Sequence, residues 1–543
     1  MRSILRPAAP RSGALGAAAL WGLVLALPGG ARGADPTPFQ LVGPIEKFTL
    51  NAVGDPACAP ATPAPALRSA RMTVHGIVVL LPCNLIIQFP ATFLTAADVF
   101  RLNPTGASES GLALADTAKP LAAFEGDVAG NIVDVAGTPT HVAGLVKISQ
   151  HGLAAGAGFI TAIDLAAREM RIGPNPAGTV GTADARVRIN DSNGRYDHHA
   201  TVPAGIDTRF TVDTENPTIH ALTGYPMCLP MDGVADDPEC PKANRPVAGG
   251  KPLINFVMGP ADLPAAPPGA LPIPHCGTAA PTPTAERCLP AKQAPFTVGD
   301  YVTYSGTLAQ DPSGSLFISA HTIGANVGIF TAPGSNPAYV SLDVSLVGTM
   351  GPAVARNPPD ARSPTIPQES KDRLRIEGFT TDPSRNVEIY AIDANAVTGA
   401  RTLRLVNVIQ PRGGAVPFGR FRLTIGNRAG VLRNADGDTL GATRELMLRI
   451  ANGPNLDGQP VPTGPTAANG LVAGQYVGPV GEYFFPEATV LGDPQIPLNF
   501  ECLAFLQAGS GPLSTAGNSG PVVGRLAPWP GPVPAAGPVA CGP

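Results

Sequence analysis

The sequence predicts a mainly β protein: two small OB-like β-barrel modules and an immunoglobulin-like β-sandwich, joined by long proline- and glycine-rich connectors. Three observations support this fold class. The 543-residue chain contains 63 glycines and 62 prolines, roughly twice the average usage, and is still 44% hydrophobic. Many short segments alternate apolar and polar residues with period two, as half-buried strands do. All eight cysteines follow an N-terminal apolar segment of the kind that directs export.

Residues 1–33 have the three parts of a secretory signal peptide. They contain four arginines and no acidic residue, followed by the apolar run ALGAAALWGLVLAL, which is short for a bilayer span. Ala31 and Gly33 fit the small-x-small cleavage rule, so cleavage is expected after Gly33. The alternative is that this segment is not cleaved and remains as a membrane anchor. No later stretch is apolar enough to span a membrane, so we expect an exported protein, periplasmic or extracellular, without a membrane span.

Cleavage would increase the acidic excess of the chain, which has a formal net charge of −4 at full length. Without the four arginines of the signal, 33 basic residues face 41 acidic ones, a formal net charge of −8. General nucleic-acid binding requires phosphate neutralisation, so this balance argues against a nucleic-acid partner.

The cysteines are even in number, which predicts disulfides in an exported chain. Two pairs share the spacing C-x11-C, and no C-x2-4-C spacing that would suit a metal site occurs. Eight cysteines allow 105 connectivities; locality favours pairing in sequence order: Cys58 with Cys83, Cys228 with Cys240, Cys276 with Cys288, and Cys502 with Cys541.

Composition and strand patterns divide the chain into eight parts. The predicted parts are the signal peptide 1–33, a Pro/Ala-rich arm 34–68, a first OB-like barrel 69–227, a Cys/Pro-rich connector 228–295, a second OB-like module 296–350, a linker 351–370, the sandwich 371–450, and a Gly/Pro-rich C-terminal wrap 451–543.

The barrel modules rest on strand–turn–strand units. RMTVHGIVVLLPCNLIIQFPATF is rich in branched residues and broken by prolines, which predicts strands, with a short helix possible near Ala96–Phe100. GFITAIDLAAREMRIG and DYVTYSGTLAQDPSGSLFISAHTI each predict two strands around a turn. Gly306 would permit the sharp bend that a small barrel needs.

Residues 371–450 contain five alternating strands, which predicts the sandwich. The apolar positions expected to face one core are Leu374/Ile376, Val387/Ile389, Leu403/Leu405, Phe421/Leu423/Ile425 and Leu446/Leu448/Ile450.

Several segments resemble parts of large exported multi-module β proteins of bacteria and fungi. They are RINDSNGRY, NPTIHALTGYPMC, VGDYVTYSGTL, EGFTTDPSRNVEIYAID and GEYFFPE. The resemblance covers most of residues 70–505 and implies a shared β architecture. It implies no reaction, ligand, cofactor or catalytic residue.

The hypothesis of a serine hydrolase would take His321 and Ser519 as catalytic residues. GNSGPVV, which contains Ser519, looks like the serine turn of chymotrypsin-like proteases. Ser519 lies 24 residues from the end of the chain, and a predicted sandwich separates it from His321. We therefore prefer a coincidence of composition, and keep a hydrolase with an unrecognised site as the alternative function.

Two loops carry possible metal ligands, although no metal or other cofactor is expected. NDSNGRYDHHA contains Asp191, Asp197, His198 and His199, but adjacent strand residues point to opposite faces, so a polar surface loop is preferred. NADGDTLG places Asn434, Asp436 and Asp438 at alternating positions, as a calcium loop does, with Glu445 at position twelve. Thr439 occupies the sixth position, where a calcium loop needs glycine. The flanking segments are predicted to be strands rather than helices, so a hairpin turn is favoured over a calcium site.

The predicted sandwich has an excess of basic residues, with 13 basic and 8 acidic side chains in 371–450. Strand alternation should turn six arginines outward together: Arg373, Arg375, Arg404, Arg420, Arg422 and Arg449. One interpretation is a solvated face paired with acidic residues of neighbouring modules; the other is a docking surface for an anionic polymer or an acidic protein. We expect a non-enzymatic binding or structural protein that uses this surface.

Overall fold

The computed structural model describes residues 37–52, 55, 67–135, 137–150, 154–199, 206–258, 273–276, 288–333, 335–348, 354–355, 365–366, 374–394, 401–411, 419–425, 443–451, 471–484 and 526. Of these residues, 51% lie in strands and 4% in helices, which confirms the mainly β class.

The first group of strands closes into a five-strand ring. Its elements are β1 (Thr37–Leu50), β2 (Ala70–Val74), β3 (Ile77–Leu81), β4 (Ile86–Gln88), β5 (Phe93–Thr95), α1 (Ala96–Arg101), β6 (Glu125–Val135) and β7 (Thr138–Ser149). The antiparallel order is β3-β2-β1-β6-β7, and a parallel pairing of β3 with β7 closes the ring. We call these five strands the first ring; β4 and β5 extend its sheet beyond β7.

The expected short helix is α1. Its N-terminus is a capping box in which the Thr95 side chain accepts from the Asp98 N–H and Asp98 accepts from the Thr95 N–H. Arg101 lies in its last turn, where a cation complements the helix dipole. Within the described ranges, no helix has the length and apolarity needed to cross a membrane.

A second closed ring follows. The next strands are β8 (Ala155–Asp164), β9 (Glu169–Gly173), β10 (Ala185–Ile189), β11 (Ile219–Ala221), β12 (Met227–Cys228), β13 (Val247–Ala248), β14 (Lys251–Pro252), β15 (Asn255–Met258), β16 (Ala294–Pro295), β17 (Tyr301–Gln310), β18 (Leu316–Ala325) and β19 (Gly328–Thr331). The order β10-β9-β8-β17-β18 is closed by a parallel pairing of β10 with β18. These five strands are the second ring, and its pairing crosses the sequence-based division between 69–227 and 296–350.

Gly306 lies at the bend expected from the sequence. The β17–β18 register shifts between Ser305 and Gly306, so the ladder contains a bulge there. A Cβ atom at position 306 would overlap the carbonyl oxygen of Ser319. Only glycine therefore allows the two strands to approach this closely.

Two of the predicted disulfides are present. Cys228 pairs with Cys240 at a Cα–Cα distance of 6.0 Å, and Cys276 pairs with Cys288 at 5.8 Å. Both lie in the segment between β10 and β17. Cys83 is buried in the first ring region, whereas Cys58, Cys502 and Cys541 lie outside the described residues.

Two four-stranded sheets form the sandwich. The remaining strands are β20 (Val340–Gly348), β21 (Val354–Ala355), β22 (Thr365–Ile366), β23 (Leu374–Thr380), β24 (Val387–Ala394), β25 (Arg401–Ile409), β26 (Arg420–Ile425), β27 (Glu445–Ile450), β28 (Gln475–Pro479) and β29 (Glu482–Phe484). One sheet has the order β26-β23-β20-β29 and the other β25-β24-β27-β28. Strands β20, β28 and β29 lie outside the 371–450 range, and each adds to a sheet.

Most of the predicted core positions of the sandwich are buried. Leu374, Ile376, Val387, Ile389, Phe421, Leu446, Leu448 and Ile450 belong to one apolar cluster that also includes residues of the first ring. Leu423 and Ile425 are half-buried against it.

The prediction for Leu403 and Leu405 is wrong, since their exposed fractions are 46% and 52%. A bulge in the β24–β25 ladder makes Val406 the extra residue, so Val406 and Ile409 contact the core instead.

Candidate binding surface

Two predicted arginines, Arg420 and Arg422, lie on the outer face of the sandwich. In the β23–β26 ladder Arg422 is opposite Glu377 and Arg420 is opposite Phe379. Phe421, between the two arginines, is buried in the core. Because successive strand residues face opposite sides, the buried phenylalanine turns both guanidinium groups outward.

Three arginines meet at the carboxylate of Glu377. Arg375 donates from Nε to Oε1 at 2.7 Å, and Arg420 donates from Nη2 to Oε2 at 2.5 Å. The Nε atom of Arg422 lies 3.0 Å from Oε1. Burial raises the pKa of Glu377, but the hydrogen bonds and charges of these arginines outweigh it and hold the pKa below its usual value. The carboxylate is therefore ionised at neutral pH.

The group retains a net positive charge at the surface. Among the residues that the structure describes, the Glu377 carboxylate faces three guanidinium groups, which gives these four side chains an excess of two positive charges. The Arg420 and Arg422 side chains are 41% and 52% exposed, and Arg420 lies over the Phe379 ring at 5.9 Å. We call Arg375, Glu377, Phe379, Arg420 and Arg422 the sandwich arginine cluster.

Two other predicted arginines form separate ion pairs. Arg404 contacts Asp393 through Nε at 2.9 Å and Nη2 at 3.2 Å. Arg449 donates to Glu388 at 2.8 Å and to the Tyr390 hydroxyl at 2.6 Å, and is largely buried. Arg373 lies outside the described residues. The six predicted arginines therefore do not form one surface, and three of them converge on Glu377.

Sequence reasoning overlooked a second arginine group, on the second ring. Arg186 donates to Glu169 Oε1 at 2.8 Å, and Arg188 donates to Oε2 at 3.1 Å. Arg171 lies 3.2 Å from Oε1. The available signal was an E-x-R strand beside an R-x-R strand, EMRIG and ARVRI, in the same alternating pattern as the sandwich.

Three of the four candidate ligands in the loop, Asp191, Asp197 and His198, are buried, and His199 is half-buried. Asp191 Oδ2 accepts the backbone N–H of Tyr196 at 2.6 Å and of Asp197 at 3.0 Å. His199 Nε2 lies 3.2 Å from the Asp191 carbonyl oxygen. Asp197 accepts from Arg168 Nε at 2.8 Å, and burial raises its pKa despite that arginine. Asp191 therefore holds the loop backbone in place.

His198 points away from those carboxylates. Its Nδ1 lies 2.7 Å from Asp237 Oδ2 and its Nε2 lies 3.0 Å from Gln293 Oε1. Burial raises the pKa of Asp237, but backbone N–H groups and His198 shift it below its usual value overall. Among the residues that the structure describes, no three His, Cys, Asp or Glu side chains are placed to share a metal ion.

The remaining candidate residues have limited structural context. His321 is half-buried on β18, with Nδ1 3.0 Å from the Thr322 hydroxyl. Ser519 lies outside the described residues, as do Asn434, Asp436 and Asp438. Glu445, the twelfth residue of the possible calcium loop, is buried in β27, and its carboxylate lies 3.2 Å from Arg401.

A small cleft lies where the first ring region meets the sandwich. Its cavity volume is about 40 Å³, enough for only a few water molecules. The lining includes Phe93, Asp213, Glu445 and Tyr476. Nearby Glu215 has its pKa raised to about 7, first by burial and then by the charge of Asp213. The cleft therefore concentrates acidic groups where little solvent reaches them.

No family model, no curated protein and no solved structure matches this chain.

Proposed function

We propose that the chain is an exported, non-enzymatic binding protein whose sandwich arginine cluster docks an anionic polymer. One observation carries the proposal: three arginines share the buried carboxylate of Glu377 on one sheet of the sandwich. Ion pairs made only to stabilise the sheet would balance their charges, as Arg404 and Asp393 do.

The geometry suits sulfate or carboxylate groups. A guanidinium group presents several N–H donors in a planar fork that matches these anions. Glu377 restrains the arginine side chains before binding, which lowers the conformational entropy lost when an anion binds. Phe379 supports the Arg420 guanidinium from one side. A repeating polymer would meet two exposed guanidinium groups on one strand, Arg420 and Arg422.

The overall charge of the chain makes this surface distinctive. The full sequence has a formal net charge of −4, and its acidic excess grows if residues 1–33 are removed. A local positive surface on an acidic protein would orient an anionic polymer toward one face. Salt would screen this attraction, because the Debye length is about 8 Å at physiological ionic strength.

The test is binding to immobilised heparin, used as a polysulfated probe. The double variant Arg420→Gln/Arg422→Gln should weaken binding about tenfold, roughly 0.7 kcal/mol for each exposed charge. The matched control Arg71→Gln/Arg101→Gln removes two exposed charges from the first ring region and should leave binding within about twofold. Equal weakening by both variants, or none by the first, would contradict the proposal.

Two finer structural assignments belong to the same proposal. We propose that both rings are OB-like barrels, because each joins its strands in the order first, second, third, fifth, fourth, with a parallel third–fifth pair.

We also propose export to the periplasm or beyond, with cleavage after Gly33. The two disulfides support an oxidising compartment. Mass spectrometry of protein from its native source should find Ala34 at the N-terminus; a retained Met1 would contradict cleavage.

A further inference from the structure

The arginine group on the second ring has the same construction as the sandwich arginine cluster. In each group a glutamate and an arginine lie two residues apart on one strand, and two arginines lie two apart on the neighbouring antiparallel strand. Glu169 and Arg171 lie on β9, with Arg186 and Arg188 on β10, where Arg186 is opposite Arg171. The glutamate is buried in both groups.

An aromatic ring supports one arginine in each group. The Arg188 guanidinium lies over the Phe317 ring at 4.5 Å, and Phe317 belongs to β18, which pairs with β10. The Arg171 side chain is 39% exposed, and those of Arg186 and Arg188 are partly exposed. We call Glu169, Arg171, Arg186, Arg188 and Phe317 the barrel arginine cluster.

A second carboxylate distinguishes the barrel arginine cluster. Asp311 Oδ2 accepts from Arg186 Nη2 at 2.9 Å and lies 3.6 Å from Arg188 Nη2. Its other oxygen, Oδ1, accepts the backbone N–H groups of Ser313 and Ser315, each at 3.0 Å. The turn between β17 and β18 therefore holds a negative charge against Arg186 and Arg188.

We propose that the barrel arginine cluster is a second surface for the same class of anionic polymer, and that Asp311 acts as an internal competitor for its arginines. The proposal shares its ligand class with the proposed function but none of its residues. An incoming sulfate would take the place of the Asp311 carboxylate on Arg186 and Arg188, while Glu169 continues to orient both side chains.

The decisive variant is Asp311→Asn, because it predicts a gain of binding that damage to the fold would not produce. Asparagine keeps an Oδ1 acceptor for the turn and replaces the anionic oxygen beside Arg186 with an amide N–H donor. Heparin affinity should rise about threefold, and the rise should disappear at high salt, where charge interactions are screened.

The matched control is Asp134→Asn in the first ring. Asp134 is exposed in the β6–β7 hairpin, and its Oδ1 accepts the backbone N–H of Gly137 at 2.6 Å, so the charge change and the turn chemistry are alike. This control should raise affinity by less than about 1.5-fold, the part that arises from net charge alone. Equal gains in both variants would overturn the proposal.

A second pair of variants tests the arginines themselves. Arg186→Gln/Arg188→Gln removes the two arginines that contact Asp311, so it should weaken heparin binding and should abolish the gain caused by Asp311→Asn. If that gain persists without these arginines, the barrel arginine cluster is not the surface. Single-stranded oligothymidylate serves as a competing probe: gain of its binding without gain of heparin binding would also overturn the proposal.

The two proposals can fail separately. Loss of binding in Arg420→Gln/Arg422→Gln with no response to Asp311→Asn leaves the proposed function and removes this inference. A gain of binding in Asp311→Asn with no loss in Arg420→Gln/Arg422→Gln supports this inference and contradicts the proposed function. Thermal unfolding of every variant, compared with the unmodified chain, establishes that each retains the fold.

Discussion

At the scale of single residues, the sequence predicts orientation but not partnership. Alternation places Arg420 and Arg422 on the outer face because Phe421 must enter the core. Their shared partner, Glu377, depends on the register between β23 and β26, which no local pattern specifies. The interpretation that these arginines pair with acidic residues of neighbouring modules stays a prediction, while the structure supplies an acidic residue from the neighbouring strand.

Arg209 is a residue whose role sequence reasoning could not predict. It is fully buried, and its guanidinium pairs with Asp207. Its Nη1 also donates to the backbone oxygens of Val99 at 3.0 Å and Ser110 at 2.6 Å. One side chain thus ties the segment after β10 to the backbone of the first ring region.

Replacing Arg209 with lysine should therefore lower the free energy of unfolding by about 3 kcal/mol. An ammonium group cannot reproduce the fork, so buried acceptors lose their donors. Urea unfolding measures the change. Arg101→Lys, at an exposed ion pair on α1, is the matched control and should change stability by less than about 0.5 kcal/mol. A similar small effect at both positions would show that the Arg209 contacts add little.

At the scale of elements, strands were predictable and their partners were not. β8 and β17 each follow from local alternation and turn residues, but they pair across more than a hundred residues of sequence. A division of the chain by sequence adjacency places β10 and β18 in different modules, so local patterns do not predict the pair that closes the second ring. The two disulfides with short loops were predictable because both partners are close in sequence. The sequence does not predict the bulge at Val406. One extra residue exchanges the core-facing and outward-facing positions along the strand without changing its composition.

The bulge makes a direct prediction about two leucines on strands of the same sheet. Leu448→Ala should lower the free energy of unfolding by about 3 kcal/mol, because it removes a fully buried side chain from the core. Leu405→Ala removes the same atoms from an exposed position and should cost less than about 0.5 kcal/mol. Urea unfolding of the two variants provides the comparison. Equal costs would mean that Leu405 is buried, as alternation without the bulge would require.

At the scale of the whole molecule, the second ring is joined to the sandwich by a loop rich in acidic groups. Asn216 donates from Nδ2 to the Val477 oxygen at 2.6 Å and accepts the Val477 N–H at 2.9 Å. The Val472 N–H donates to the Glu215 backbone oxygen at 3.2 Å. Charged groups of several elements surround Glu215: Asp213 and Glu445 repel its anion, and Arg195 and Arg401 attract it. The sequence does not predict this junction, because the residues that form it are spread over positions 195 to 477.

This junction predicts that stability falls as pH rises from about 5 to 8. The pKa of Glu215 is about 7 in the folded protein and 4.5 as its ordinary value, so the folded state binds more protons between these limits. Stability decreases with pH wherever the folded state holds the extra proton. Allowing for the partial exposure of Glu215, its share of the loss is about 1–2 kcal/mol. Glu215→Gln cannot ionise, so urea unfolding at pH 5 and pH 8 should show a smaller loss in this variant than in the unmodified chain. Identical losses in the two proteins, or a larger loss in the variant, would show that Glu215 ionises in the folded state as readily as it does in the unfolded chain.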